Sequence, residues 1–277
     1  MGLYYKTGIE ITQIKYEEAG NFKEGMAWVR LDSNYGYIDK TGKVVAAIKY
    51  NTIYTFTEGF AKVSVDKKWG FIDKTGKEIV APVYAEVRDY KNGMAAVKLP
   101  AGKWGFVDKS GKETVPATYE AVKDFMGAAA EVKRDGKYGR VDKKGKEILE
   151  TKYESPFYFR KGKALVQSGT KWGYVSEEGS AIIPVQYDDI KDLFYDHLFS
   201  VKLHNKYGVL DTAGKTVIPV KYDEIINFSY GQLVRVKLDN KYGVLDITGK
   251  EVMPVKYQLL PVFSGNRRPV KLNNKWD

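Results

Sequence analysis

The chain has 277 residues, of which 43% are hydrophobic and 14% aromatic, enough apolar material to build an ordered core. It contains no cysteine, which excludes a disulfide framework, a thiolate nucleophile and Cys-ligated zinc. The formal net charge is +10, from 45 Lys and Arg against 35 Asp and Glu, and it favours anionic partners.

The first residues and the hydropathy pattern were compared with those of signal peptides and membrane-spanning segments. Met1 to Lys6 lack the apolar core of a signal peptide, and no apolar stretch is long enough to span a bilayer. We therefore predict no signal peptide and no membrane span within this sequence. The compartment stays open.

An aromatic-glycine pair recurs every 34 or 35 residues. The pairs are Tyr35-Gly36, Trp69-Gly70, Trp104-Gly105, Tyr138-Gly139, Trp172-Gly173, Tyr207-Gly208 and Tyr242-Gly243, with Met1-Gly2 as a degenerate first pair. They define one array over 1–277, with units 1–34, 35–68, 69–103, 104–137, 138–171, 172–206, 207–241 and 242–275, and 276–277 opening a ninth. Such a period is typical of a solenoid, a propeller or a related array.

Within a unit, apolar residues alternate with polar ones, as in Ala61, Val63 and Val65. This period of two predicts a strand, which leads through a short polar turn into the aromatic-glycine strand. A Lys-Thr-Gly-Lys turn follows, and then an apolar run that usually contains proline. We predict three or four short antiparallel strands per unit and no helix longer than one turn.

Glycine and proline recur at fixed positions between or near the ends of these strands. The turn glycines, of which Gly76, Gly111 and Gly249 are examples, are predicted to have positive φ, as hairpin turns require. Proline cannot donate to a strand ladder, so we expect it to end the last strand. The prolines in question are Pro116, Pro184, Pro219 and Pro254.

Two further aromatic positions repeat. A tyrosine lies 15 residues after each anchor, and we predict that it is buried: Tyr16, Tyr50, Tyr84, Tyr119, Tyr153, Tyr187, Tyr222 and Tyr257. A second aromatic follows at Phe22, Phe56, Tyr90, Phe125, Phe159, Phe194, Phe228 and Phe263. The anchors Trp69, Trp104 and Trp172 are predicted to be structural as well. The alternative, a stacking platform for sugars or bases, requires the rings to be exposed in a row.

Residues suited to catalysis are few. His204 follows the polar phase of a predicted strand and His197 falls in a loop, so neither is assigned a catalytic or metal-binding role. The repeated aspartates Asp39, Asp73, Asp108, Asp142, Asp211 and Asp246 precede glycine turns and are predicted to bond turn amides. No glycine-rich phosphate loop occurs. We predict no catalytic residue, no cofactor, no metal site and no enzyme activity.

Basic residues are tied to the repeat. One follows the central strand valine in six units: Arg30, Lys98, Lys133, Lys202, Lys237 and Lys271. Two interpretations remain: the lysines solvate the strands and discourage edge pairing, or they form an anion-binding row. The second interpretation makes these six residues the candidate binding site.

The units resemble the WG repeat family of bacterial proteins, whose pattern is close to Lys-Trp-Gly-Tyr-Ile-Asp-Lys-Thr-Gly-Lys followed by Ile-Pro and Tyr-Asp. Residues 69–83 and 172–188 match it closely, whereas Tyr35, Tyr138, Tyr207 and Tyr242 replace the tryptophan. The resemblance implies a β-repeat scaffold. It attaches no reaction to the chain.

Repeat and resemblance together predict an all-β tandem array of antiparallel β-meander units. A propeller-like closed ring is slightly preferred over an open β-superhelix. A non-enzymatic scaffold for another protein or a surface polymer is the first functional hypothesis, because identical side chains on every unit favour extended binding. A binder of anionic polymers or glycans is the second. No motif selects nucleic acid among such polymers.

Overall fold

The computed structural model describes residues 16–193, 198–227, 233–260, 271–272 and 275–276. All regular structure in these ranges is β-strand, paired antiparallel. This confirms the predicted all-β array. The chain forms two compact units, Met1–Lys152 and Tyr153–Asp277, which are described in turn. The single array and the choice between ring and superhelix stay predictions.

The first unit contains four sheets, each of four strands in chain order. Sheet 1 contains β1 Glu18–Ala19, β2 Met26–Leu31, β3 Asn34–Asp39 and β4 Val44–Tyr50; sheet 2 contains β5 Thr52–Ile53, β6 Phe60–Val65, β7 Lys68–Asp73 and β8 Glu78–Tyr84. Sheet 3 contains β9 Glu86–Val87, β10 Met94–Lys98, β11 Trp104–Asp108 and β12 Glu113–Tyr119; sheet 4 contains β13 Ala121–Val122, β14 Ala129–Arg134, β15 Lys137–Asp142 and β16 Glu147–Tyr153.

The second unit repeats this pattern. Sheet 5 contains β17 Lys163–Ser168, β18 Lys171–Ser176 and β19 Ala181–Tyr187; sheet 6 contains β20 Asp189–Leu193, β21 Leu198–Leu203, β22 Lys206–Asp211 and β23 Thr216–Tyr222. Sheet 7 contains β24 Glu224–Asn227, β25 Leu233–Leu238, β26 Lys241–Asp246 and β27 Glu251–Tyr257; sheet 8 contains β28 Lys271–Leu272 and β29 Lys275–Trp276.

The sheets are offset from the sequence units. Sheet 2 begins just after Tyr50 and ends at Tyr84, so its strands come from two sequence units, 35–68 and 69–103. The strand before each anchor pairs with the anchor strand of the following unit, as Ser64 does with Trp69. The first strand of a sheet in the first unit has only two residues, which is why four strands fit into so short a repeat.

Two turns set the hairpins. Between the second and third strands of sheet 2, Asp66 and Lys67 both have positive φ, 49° and 62°, which matches the twist of the flanking strands. The alternation of apolar residues did not reveal this pair of left-handed residues. Between the third and fourth strands lies the turn glycine. Gly76, Gly111 and Gly249 have φ of 81°, 83° and 84°, which confirms their predicted conformation.

The glycine of the aromatic-glycine pair lies opposite a bulge. Trp69 pairs with Tyr84 and Phe71 with Val80, so residues 81–83 face Gly70 alone. A Cβ on Gly70 would stand 2.2 Å from the Val80 carbonyl oxygen, so a side chain does not fit.

The expectation that proline ends the last strand is wrong. Pro116, Pro184, Pro219 and Pro254 are each the fourth of seven residues in β12, β19, β23 and β27. These are edge strands within their sheets, and a bulge in an edge strand tolerates a residue without an amide hydrogen.

Neighbouring sheets within a unit pack face to face. Tyr37 and Tyr50 of sheet 1 form one apolar cluster with Ala61, Val63 and Ile72 of sheet 2. The same arrangement joins sheets 2 and 3 around Phe71 and sheets 3 and 4 around Phe106. In the second unit it joins sheets 5 and 6 and sheets 6 and 7. Both faces of sheets 2, 3 and 6 are therefore covered by neighbouring sheets.

The second recurrent aromatic residue packs in the apolar core between neighbouring sheets. Phe56, Tyr90 and Phe125 are buried, and each packs edge to face on the aromatic residue two places after the anchor: Tyr37, Phe71 and Phe106. Ring centroids are 4.8, 4.9 and 4.8 Å apart. Phe22 and Phe159 are half-buried, whereas Phe194, Phe228 and Phe263 lie outside the described residues.

Candidate functional site

The predicted basic row lies directly across from the aromatic anchors. The strand register pairs Arg30 with Tyr35, Lys98 with Trp104, Lys133 with Tyr138, Lys202 with Tyr207 and Lys237 with Tyr242. Lys271 pairs with Trp276 in sheet 8. Because cross-strand partners lie on the same face of a sheet, this register brings each cation close to its anchor ring in sheets 1, 3, 4, 6 and 7. All six basic residues are half-buried.

The lysines lie above the rings. The ammonium groups of Lys133, Lys202 and Lys237 are 5.2, 5.5 and 5.5 Å from the centroids of their tyrosine partners, within cation-π range. No carboxylate of the described residues forms an ion pair with these three lysines. Arg30 differs, since it bonds Glu18 at 2.6 Å, and Lys98 lies 3.6 Å from Glu86.

The three tryptophan anchors have different surroundings. Trp104 is 5% exposed, with the Arg88 guanidinium 4.4 Å and the Lys98 ammonium 5.4 Å from its ring centroid. Trp69 and Trp172 are half-buried and pack against the cores of their units. The rings thus retain at most an edge at the surface, an arrangement unlike an open stacking platform.

A small cavity lies beside Trp69. It has a volume of about 180 Å³ and is lined by Tyr54, Lys62, Trp69, Glu86 and Val87. The Tyr54 and Trp69 rings are 5.7 Å apart, and the Lys62 ammonium lies 4.3 Å from the Tyr54 centroid. Lys62 is also paired with Asp89 at 3.1 Å.

Seven of the recurrent tyrosines are buried, with Tyr16, Tyr50, Tyr84, Tyr119, Tyr153, Tyr187 and Tyr222 at 8% exposure or less. Tyr257, by contrast, is half-buried. The Tyr50 hydroxyl donates to Glu78 of the next sheet at 3.0 Å, and Lys49 approaches the same carboxylate at 2.8 Å. Burial and this carboxylate raise the pKa of Tyr50.

Sequence reasoning missed the glutamate partner. Glu78, Glu113, Glu147 and Glu251 each stand two residues after a turn glycine, and their charges act on Tyr50, Tyr84, Tyr119 and Tyr222. The signal was a glutamate at a fixed distance from the turn. Recognising its role required knowing that consecutive sheets stack in register.

The repeated aspartates hold their turns. Asp73 Oδ1 accepts the Thr75 amide at 2.8 Å, the Thr75 hydroxyl at 2.6 Å and the Lys77 amide at 3.1 Å. Asp39, Asp108, Asp142, Asp211 and Asp246 accept the equivalent amides. Partial burial raises the pKa of the Asp73 carboxyl, but the bonds from Thr75 and Lys77 outweigh it and hold the pKa below its usual value.

The histidines need one correction. His204 is exposed and belongs to a two-residue turn, with φ of 49°, instead of following the strand phase. The strand β21 ends at Leu203, and the His204 amide donates to Asp188 at 2.9 Å. His197 lies outside the described residues. Within the described ranges, no group of three His, Asp or Glu side chains is placed to hold a metal, and no helix could cross a membrane.

Comparisons with known proteins cover the whole array. The family model described as WG containing repeat matches residues 2–35, 35–69, 69–103, 104–138, 138–172, 172–207, 207–242 and 242–276. No curated protein matches the chain.

Solved structures match only weakly. Hsv2 from Kluyveromyces lactis is 12% identical over 69% of this chain and 71% of its own, with a TM-score of 0.28. BamB from Moraxella catarrhalis is 10% identical over 85% and 86%, with a TM-score of 0.30. A eukaryotic initiation factor is 13% identical over 90% and 80%, with a TM-score of 0.31. At these scores the description of the fold rests on the strand pairing of this chain alone.

Proposed function

Because this chain belongs to the WG containing repeat family, we propose that it is a non-enzymatic scaffold that binds another protein through side chains repeated on its sheets. The observation that carries the proposal is the cross-strand pair of a basic residue and an aromatic anchor. It recurs with the same register in sheets 1, 3, 4, 6 and 7.

The chemistry of this pair suits recognition. A lysine held over a ring presents a cation in a fixed position, and the exposed ring edge adds apolar contact. Aromatic side chains are among the residues most often found as binding hot spots, and a lysine already held over a ring loses less conformational freedom on binding than a free one. Several copies on one compact unit would engage a partner at more than one point.

Partner capture with charge-reversed variants tests the scaffold. The full chain, immobilised at moderate salt, is expected to retain a partner from an extract of its native source. Lys98→Glu with Lys237→Glu should abolish that retention, because both positions lie in the row. Lys67→Glu with Lys215→Glu is the matched control, with the same charge change at exposed lysines outside the row. Equal loss in both double variants would remove the row from the interface.

Binding of anionic polymers or glycans is the second candidate. It is favoured by Lys133, Lys202 and Lys237, which pair with a ring and with no carboxylate of the described residues. Each phosphate neutralised adds about 0.7–0.9 to the slope of log affinity against log salt. Heparin, teichoic acid and single-stranded nucleic acid at two ionic strengths would show this slope, and Lys98→Glu with Lys237→Glu should flatten it. Absence of binding to all three polymers would eliminate this candidate.

A further inference from the structure

A glutamate in the loop between the first and second strands recurs along the turn edge of the first unit. Glu24 of sheet 1 pairs with Lys74 in the turn of sheet 2 at 3.0 Å. Glu58 of sheet 2 pairs with Lys109 in the turn of sheet 3 at 3.4 Å. The loops of sheets 1 and 2 thus each provide a carboxylate for the first lysine in the turn of the next sheet.

Glu58 shows what this position can bind. Its carboxylate also accepts the amides of Asn92 at 2.8 Å and Gly93 at 2.9 Å, both in the loop of sheet 3. Partial burial raises the pKa of Glu58, but these two amides and Lys109 together lower it below its usual range. Two amides and one ammonium therefore form a carboxylate-binding arrangement within the repeat itself.

The series is interrupted at the next junction. The position equivalent to Glu24 and Glu58 in sheet 3 is Asn92, and the lysine equivalent to Lys74 and Lys109 in sheet 4 is Lys143. The Asn92 side chain provides no carboxylate for the lysine and donates to the Phe125 carbonyl oxygen at 2.7 Å. Lys143 and its neighbour Lys144 make no ion pair with any described residue. The amides of Gly127 and Ala128, equivalent to those that Glu58 accepts, make no hydrogen bond within the described ranges.

A cavity of about 620 Å³ lies at this junction, between the loop of sheet 3 and the turns of sheets 3 and 4. Its lining includes Lys109, Lys112, Lys143 and Lys144. The volume is in the range of small-ligand pockets and suffices for one or two extended side chains.

The two carboxylates in the lining are already bonded. Asp108 accepts amides of its own turn, and Glu113 accepts the Ala117 amide at 3.2 Å. Thr114 Oγ1, also in the lining, is buried and makes no hydrogen bond with a described residue. Four lysines therefore face these two carboxylates in the lining, and Lys143 and Lys144 make no ion pair with a described residue, which suits an incoming anion.

We propose that the cavity between sheets 3 and 4 binds a carboxylate side chain of an acidic segment in a partner protein, in the place that Glu58 fills at the preceding junction. The ligand class follows from the repeat, because the lysines equivalent to Lys143 are paired with glutamates at the two preceding junctions. This inference deepens the proposed scaffold function and rests on it for the existence of a partner.

Asn92→Glu is the decisive variant. It restores the internal glutamate, and the backbone accepts it, since φ is 53° at Asn92, 51° at Glu58 and 50° at Glu24. With a fluorescein-labelled (Gly-Glu)3 peptide at low salt, anisotropy should show saturable binding to the full chain. Asn92→Glu should weaken binding by about tenfold or more, because its carboxylate competes for Lys143 and repels the peptide. Its melting temperature should equal or exceed that of the parent.

Charge variants separate the cavity from the general basic surface. Lys143→Gln with Lys144→Gln should weaken binding about as much as Asn92→Glu, and it stands in for that variant should Asn92→Glu fail to fold. Lys74→Gln is the matched control, because it removes the equivalent lysine where Glu24 is present, and it should change affinity by less than about twofold. Glu58→Asn should create a second site of the same kind, so that two peptides bind per chain.

Several outcomes overturn the proposal. They are no binding of (Gly-Glu)3, equal binding of (Gly-Gln)3, an unchanged affinity in Asn92→Glu, or a loss in Lys74→Gln as large as in the cavity variants. Displacement of the peptide by inorganic phosphate at lower concentration than by acetate would assign the cavity to phosphate instead. The scaffold function is separated by partner capture: a partner retained equally by parent and Asn92→Glu keeps the scaffold and removes the cavity. If the peptide binds in the cavity but no native partner is captured, the cavity proposal stands and the scaffold function is contradicted.

Discussion

At the scale of single residues, the recurrent tyrosine contributes most to the core. Tyr222 is 6% exposed and packs among Val209, Ile218 and Val234. Tyr222→Ala should lower the free energy of unfolding by about 3–5 kcal/mol, the range for deleting a large core aromatic. Tyr257→Ala is the matched control, since this tyrosine occupies the same repeat position but is half-buried. Urea unfolding should show a clearly smaller loss for Tyr257, and equal losses would contradict the importance of burial.

The turn aspartates make stability depend on pH. Hydrogen bonds from Thr75 and Lys77 hold the pKa of Asp73 below its unfolded value despite partial burial, and Asp108 behaves in the same way. Their contribution is present above the unfolded pKa of about 3.9 and is lost as pH falls below it. Urea midpoints should be constant near neutrality and decline below about pH 4. Asp73→Asn should show a smaller decline than the parent, and an identical decline would contradict the assignment.

At the scale of elements, the turn glycines join sheets as well as turn the chain. A Cβ on Gly111 would stand 2.0 Å from the Ile79 carbonyl oxygen of the preceding sheet. Gly102 has a similar φ of 89° but nothing within 4 Å of its Cβ position.

The pair Gly111→Ala and Gly102→Ala therefore separates strain from contact. Gly102→Ala should cost about 1–2 kcal/mol from the left-handed backbone alone. Gly111→Ala should cost at least about 1 kcal/mol more, because the sheets must move apart. Denaturant unfolding measures both variants. Similar losses would show that the two sheets accommodate the methyl group without cost.

Much of an element is predictable from local pattern. The alternation of Ala61, Val63 and Val65 predicts a strand, and the turn glycine predicts positive φ, because both depend on neighbouring residues only. The proline could not be placed correctly, since its missing amide excludes a ladder bond but does not show whether the strand ends or bulges. The pairing of Lys98 with Trp104 depends on register, and the junction at Asn92 depends on the stacking of sheets. Neither the register nor the stacking can be predicted from the residue at a single position.

At the scale of the whole molecule, stability should respond locally. The apolar clusters around Phe71, Phe106 and Tyr37 lie within residues 26–141, and those around Tyr222 and Phe199 lie within 172–255. Since repeats couple mainly to neighbours, Tyr222→Ala should lower amide-exchange protection in β21 to β27 and leave β6 to β12 protected. Hydrogen exchange read by mass spectrometry would show this. A uniform loss of protection would mean that the chain unfolds as one cooperative body.

The offset between sequence units and sheets has a consequence for shortening or lengthening the array. Deleting one repeat between successive aromatic-glycine pairs would leave a hybrid sheet, in which an anchor strand pairs with the valine-lysine strand of a different sheet. Deleting instead the segment from just after Tyr84 to Tyr119 removes the four strands of sheet 3 together and leaves the strand pairing within the other sheets unchanged. The boundary at which whole sheets can be deleted or inserted therefore lies at the recurrent tyrosine, and not at the tryptophan that dominates the sequence pattern.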